Sequence, residues 1–326
     1  MTLHLSGSFS PNPRVAALMD GSVRIPGVEM TWRTGPAGEL HERALRGGGP
    51  DVFEFSISNY LVTRERSRPE WDWQSIPVYA SKATLGVNTL VHAGTGIESG
   101  ADLAGRRFGV PDYTMTAGLW FRAQLNTLWN LSTHDVDWYV GRQGEQSHGV
   151  QMGFDVVPPR GVVLHRPGPG GLAAMLRDGR LDAAFPSIDI PIDARDAAVR
   201  PLFPDGGRQF MADFRAKAGF LPVNHVVLIQ RRLVERHPWL PEALFEGFSA
   251  AKAFAYERDP SSRGIFRDSN ADVGFQAAAY GDDPFPYGLA ANREMLATAA
   301  RQSTVDGLTT HEQDLASSVP ESLRAT

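Results

Sequence analysis

The chain has no cysteine among its 326 residues, which excludes disulfides, thiolate catalysis and cysteine-based zinc sites. It also lacks a basic run or stripe. With a formal charge of -5, it offers nucleic acid and anionic membrane surfaces nothing to hold, and neither is expected as a partner. No apolar stretch approaches membrane-spanning length. The first ten residues carry neither the basic region nor the apolar core of a signal peptide, so a cytoplasmic protein is expected. Common catalytic signatures are missing too: there is no G-x-S-x-G, no H-E-x-x-H and no glycine-rich nucleotide fingerprint after a strand. His134 with Asp135 and Asp137 is an acidic cluster whose alternation splits the side chains across two faces. A solvated surface is the better reading, and no metal site is expected.

What is present is an ordinary globular composition, 42% hydrophobic and 21% charged, long enough for two domains. Strand patterns at 3–9, 28–33, 51–55, 76–80, 87–92, 107–110, 136–140, 181–185 and 223–229 alternate with helical patterns, the clearest at 116–129, 171–178 and 238–257. Such alternation implies mainly parallel, helix-covered sheets. A first set ends near Ala80 and a second runs through Phe185, while the strand at 223–229 can return the chain to the first. The expected fold is therefore α/β, two lobes around a central cleft with two crossovers. We divide it into lobe 1, residues 1–86 plus 230–326, and lobe 2, residues 87–229. Ser8, Ser56, Ser58, Ser81, Thr114, Thr116, Ser187 and His225 stand at strand ends and helix starts, where such a fold binds ligands. Serine and threonine there also serve as helix caps.

The junction from Arg107 to Leu128 is the most pointed of these. A buried strand leads through a tight turn with two threonines into a helix whose first amide groups lack partners and carry the positive dipole end. Thr114 and Thr116 would present donors to a carboxylate or phosphate there, or Thr116 caps its own helix. Arg122, two turns on, reaches the same site or faces solvent.

Five runs make the reading specific. H-E-R-A-L-R with D-V-F-E-F-S-I-S-N-Y-L (His41 to Leu61), V-P-D-Y-T-M-T-A-G-L-W-F-R (Val110 to Arg122), L-P-V-N-H-V-V-L-I (Leu221 to Ile229), E-R-H-P-W (Glu235 to Trp239) and D-P-F-P-Y-G-L (Asp283 to Leu289) together resemble the 4,5-dihydroxyphthalate decarboxylase family. The resemblance implies a type II periplasmic-binding-protein-like fold used by a cytosolic enzyme of phthalate catabolism. It also implies a small aromatic carboxylate as partner. Each carboxylate of a dihydroxyphthalate is para to a hydroxyl, so the substrate carries its own electron sink and no cofactor is expected. A divalent ion chelated by the substrate stays open. Such a reaction asks for a general acid over the ring carbon, a hydrogen-bond partner for the phenol and donors for the carboxylate that stays.

On this footing His225, a side chain that exchanges protons near neutral pH, is the first choice for proton transfer. On its own strand alone it reads more often as a satisfied core histidine, and the resemblance tips it toward function. Glu54 and Tyr113 join it as catalytic candidates, Glu54 alternatively bonding backbone at a helix start. Ser56, Ser58, Ser81, Lys82, Thr114, Thr116, Arg122, Ser187 and Tyr287 are the substrate-binding candidates, while Arg14 departs from the family pattern through its preceding Pro13. After the strand at 76–80 relatives have an arginine-rich turn, and this chain has Ala80-Ser81-Lys82-Ala83-Thr84-Leu85-Gly86 instead. Lysine does not reproduce the planar fork of arginine, so a close relative of 4,5-dihydroxyphthalate remains an alternative substrate. The segment Arg142 to Arg160 has no clear family counterpart and is expected to shape a cleft wall. A second reading is a non-catalytic binding protein or sensor for an aromatic or organic anion. Phe285 and Trp239 are available for a homo-oligomer contact, or for packing within a lobe.

Overall fold

The computed structural model describes residues 2–187, 190–265 and 273–326. In chain order its strands are β1 (Leu3–Phe9), β2 (Val28–Thr34), β3 (Val52–Ser56), β4 (Trp73–Lys82), β5 (Leu90–His92) and β6 (Arg107–Val110). The remainder are β7 (Asp137–Val140), β8 (Leu164–His165), β9 (Ala183–Ala184), β10 (Val199–Pro201) and β11 (Val223–Gln230). They build two sheets, ordered β2-β1-β3-β11-β4 and β10-β5-β9-β6-β7-β8. Contacts divide the chain into two α/β units: Met1–Ala83, Leu221–Ala300 and Gln313–Thr326 form one, Thr84–Phe220 and Arg301–Glu312 the other.

In the first unit β1 pairs in parallel with β2 and β3, whereas β11 runs antiparallel to both β3 and β4. All five residues of β3 are buried, as expected of a strand covered on both faces. Phe53 and Phe55 meet Trp73 edge-on, with ring centroids 5.1 and 5.2 Å apart, a preferred aromatic geometry. The β11 strand closes the gap between β3 and β4, so it belongs to the first sheet rather than to a second lobe ending at 229. Leu228 and Ile229 pair with Phe53 and Val52, which a lobe boundary at 229 would cut.

The second unit repeats the plan. β6, β7, β8 and β9 are parallel neighbours, and β5 is reversed against β9 and β10. Its apolar centre includes Leu90, Leu172, Leu176, Leu181, Ala184 and Val199. Each sheet's reversed strand, β5 or β11, follows shortly after the chain enters that unit. A further stretch, Arg301–Glu312, belongs to the second unit because Asp306 is fixed there by an ion pair with Arg122. Among the described residues no helix is long and apolar enough to cross a membrane.

Candidate active site

The carboxyl ends of β1, β3 and β4 lie at one edge of the first sheet, and the start of the reversed strand β11 comes to the same edge. Ligands of open α/β sheets bind outside such an edge. His225, the third residue of β11, stands opposite Ser56 on β3 and Ser81 on β4. The β11–β4 register slips on both sides of it, an irregularity of the kind that re-aims a side chain. Its Nδ1 lies 2.9 Å from Glu54 Oε2, with Glu54 only 1% exposed. The other carboxylate oxygen, Oε1, accepts the backbone N–H of Ser10 just past β1. With the Glu54 carboxylate as acceptor, Nδ1 would donate in this contact and Nε2 would be the ring nitrogen left to exchange a proton. The ring of His41 packs perpendicular to His225 at 4.6 Å between centroids.

Around this pair the unit gathers further polar groups. Lys82 is buried with Nζ donating to Asn292 Oδ1 at 2.8 Å, and Asn292 Nδ2 donates to the carbonyls of Pro286 and Gly288. Lysine and the Pro-Phe-Pro-Tyr-Gly segment are thus tied to the end of β4. Tyr287 sits in that segment with its hydroxyl buried and, among the described residues, without a hydrogen-bond partner. Burial raises its pKa. Arg14 donates through Nε to Ala80 O at 2.8 Å. Of the serines, Ser56 caps the helix Ile57–Arg66 by accepting from Asn59 N at 3.2 Å, and Ser58 is fully buried inside that helix.

In the second unit the candidates have other occupations. Asp112, just beyond β6, accepts from Thr114 N, Thr114 Oγ1 and Ser147 Oγ at 3.0, 2.9 and 2.8 Å. The turn expected to bind an anion therefore already holds a carboxylate of its own, and Thr114 spends its hydroxyl proton on it. Met115, not Thr116, occupies the cap position of the helix Thr116–Trp129. Tyr113 is 1% exposed, with its hydroxyl 3.0 Å from Thr133 Oγ1 and donating to Asp306 O at 3.1 Å. Burial pushes its pKa up, and its hydroxyl is engaged within its own unit rather than presented to a phenol. Arg122 neither faces solvent nor lies open to a ligand. Its Nε donates to Asp306 Oδ2 at 2.7 Å and its Nη2 to Tyr113 O at 3.1 Å, with both ion-pair side chains 0% exposed. Burial raises the Asp306 carboxyl, and Arg122 and Gln302 oppose that rise. Ser187 Oγ accepts from Ile190 N at 3.2 Å, closing a local turn.

A small cavity, open in part to solvent, also lies in this unit, lined by Asp112, Thr114, Ser147, Phe154 and Arg166 among others. The segment Arg142 to Arg160 supplies one of its walls. Of the cavity's two acidic residues, Asp155 is exposed and Asp112 is already occupied by the donors of Thr114 and Ser147, which leaves the His225–Glu54 pair of the first unit as the better candidate for proton exchange. Among the described residues no cluster of three or more histidines and carboxylates could hold a metal ion.

Two neighbours of that pair carry little signal in the sequence. Ser10 contributes only a backbone N–H, which any residue but proline has, and His41 is marked out only by its place inside the first family-like run.

No family model matches the chain. Among solved structures, the aliphatic sulphonate binding protein SsuA of Escherichia coli aligns over all of both chains with TM-score 0.56 at 16% identity. The desulfurization enzyme DSZB aligns over 99% of this chain and 98% of its own with TM-score 0.53 at 17% identity. These likenesses establish a two-lobed α/β fold of the periplasmic-binding-protein kind. A 4,5-dihydroxyphthalate decarboxylase of Pseudomonas putida is 34% identical over 184 residues, 56% of this chain and 70% of the relative. Another, from Comamonas testosteroni, is 30% identical over 312 residues, 94% of this chain and 93% of the relative. With identity sustained over nearly its whole length, the chain belongs to the 4,5-dihydroxyphthalate decarboxylase family, whose named members are carboxy-lyases.

Proposed function

We propose that the chain is a carboxy-lyase that removes one carboxylate from 4,5-dihydroxyphthalate or a closely related hydroxylated aromatic dicarboxylate. The observation that carries this reading is the imidazole of His225, held through Nδ1 by Glu54 at the carboxyl edge of the first sheet. The substrate's phenol para to the departing carboxylate gives its proton to solvent, and its electrons allow the ring carbon bearing that carboxylate to take the Nε2 proton of His225 in its imidazolium form. A new C–H bond forms and the ring becomes a dienone. The C–C bond to the carboxylate then breaks and its electron pair restores aromaticity. The imidazole and the phenolate are reprotonated from solvent after carbon dioxide leaves, so one proton is consumed per turnover. Glu54 keeps the imidazole in one tautomer and orientation throughout, as a carboxylate does for a catalytic histidine elsewhere. Tyr113 and Arg122 have no part in this reading, because the Tyr113 hydroxyl and the Nε and Nη2 of Arg122 are engaged inside the second unit.

Purified protein incubated with 4,5-dihydroxyphthalate should release carbon dioxide and consume the substrate absorbance. His225→Ala should lower kcat by about 10²- to 10⁴-fold, the usual span for a positioned acid–base group. Glu54→Gln should lower kcat with KM near that of the parent. Full activity of His225→Ala would remove the imidazole from the mechanism, and saturable binding without product would favour an anion sensor. Because the substrate supplies its own electron sink, turnover should also persist after dialysis against EDTA. Loss of activity restored by a divalent ion would instead assign the chelating substrate a metal partner.

A further inference from the structure

Arg14 follows β1 and is 7% exposed, yet among the described residues no carboxylate lies within ion-pair distance of its guanidinium. Its bonds run to neutral carbonyls, from Nε to Ala80 O and from Nη1 to Ser262 O, and one face of the ion lies 3.6 Å from the centre of the Phe285 ring. A guanidinium has five N–H groups, and these two bonds leave three. Asp283, the acid in the neighbouring segment, is already bound to Lys252 Nζ at 2.7 Å and Tyr256 Oη at 2.8 Å. Asp283 acts on Arg14 only through a charge it shares with Lys252, and a buried cation so incompletely compensated is costly, so its retention needs a reason. Close by stands Tyr287, whose buried hydroxyl has no partner among the described residues and whose side chain is only half-buried, so the pair is not sealed into the core. Phe285, against whose ring the guanidinium packs, stands two residues before Tyr287, which brings the two to the same place. Unused N–H donors on a buried cation and an unused O–H donor together describe the complement of a carboxylate.

We infer that Arg14 and Tyr287 form a carboxylate-binding subsite at the carboxyl edge of the first sheet, which holds the carboxylate that the substrate keeps. The inference rests on the decarboxylase reading for the identity of the ligand but not for its chemistry. Ala80, whose carbonyl anchors Arg14, immediately precedes Ser81, the residue opposite His225, so the subsite and the imidazole share one strand end. The neutral carbonyls position the guanidinium without cancelling its charge.

The test uses the full chain with phthalate, which carries both carboxylates but no hydroxyl, and with catechol, which carries the hydroxyls alone. By calorimetry, Arg14→Gln should weaken phthalate binding about tenfold or more, the loss expected for a hydrogen bond to a charged group, and leave catechol binding unchanged. Tyr287→Phe, which preserves the ring packing, should weaken phthalate binding less. It carries the test alone if thermal melting shows Arg14→Gln to be unfolded. With 4,5-dihydroxyphthalate, KM should rise more than kcat falls in both variants. Parental phthalate affinity in the folded variants, or equal losses for phthalate and catechol, would overturn the subsite and mean that water satisfies these groups. If the parent protein releases no carbon dioxide but binds phthalate through Arg14, the subsite stands and the decarboxylase reading falls. Turnover with an unchanged KM in Arg14→Gln would do the reverse, upholding the decarboxylase and overturning the subsite.

Discussion

Arg122 and Asp306 stand 184 residues apart in sequence and neutralise each other with no access to solvent. Removing one member of such a pair strands a charge in a medium that cannot solvate it. Asp306→Ala should therefore cost about 3–5 kcal/mol of stability in denaturant titrations, far more than an exposed substitution. That distance also explains why the role of Arg122 is hidden in the sequence: an arginine on a helix two turns from a ligand-binding junction looks identical whether its carboxylate comes from substrate or from a remote segment. Thr114 is hidden for the opposite reason. Its acceptor, Asp112, is two residues away, and the choice between a self-satisfied turn and a ligand cradle depends on the approach of Ser147. His225 and Glu54 are legible because both are chemistry-bearing residues on strands whose other positions are mostly apolar.

At the scale of elements, the junctions between strands carry most of what is testable. Gly7 on β1 leaves room for Trp32 from β2: a Cβ there would fall 2.4 Å from the indole ring. Gly7→Ala should destabilise by about 1–3 kcal/mol, the usual cost of overpacking, measurable as a lowered denaturation midpoint with an unchanged slope. In the second sheet Asp182 binds the backbone N–H and the guanidinium of Arg107, joining the approach to β9 to the start of β6. Burial raises its carboxyl, but the Arg107 bonds outweigh this and hold it below the usual carboxylate range. A depressed folded-state pKa contributes stability above the unfolded value, about 3.9, that is lost as pH falls through the folded one. Stability measured across pH 5 to 2 should thus fall less steeply in Asp182→Asn than in the parent protein. Strands such as 3–9 and 107–110 and the helix 116–129 are legible in sequence with the bounds they have in the structure, because strong periodicity and clear punctuation coincide there. The two-residue β8 and three-residue β10 are not, being too short to show any period. The reversal of β11 is also invisible, since alternation of side chains is the same in either direction.

For the whole molecule, the division of the chain is the main consequence of its topology. Each unit is assembled from separated stretches, and Arg301–Glu312 returns to the second unit only to supply Asp306 and its neighbours. A fragment of residues 84–220 would carry a buried Arg122 without its carboxylate. We expect it to lack a cooperative thermal transition, and to regain one when 301–312 is fused back through a flexible linker, as followed by calorimetry. The fold class and the count of two lobes are legible from length and alternation, whereas this late excursion is not, because nothing in its composition sets it apart from the helix before it. The excursion also bears on how such proteins can be recombined. A single genetic breakpoint anywhere between 122 and 306 would bring together an arginine from one parent and an aspartate from another, so a chimera made with this chain will keep its buried charges neutral only where both parents carry the same distant couple.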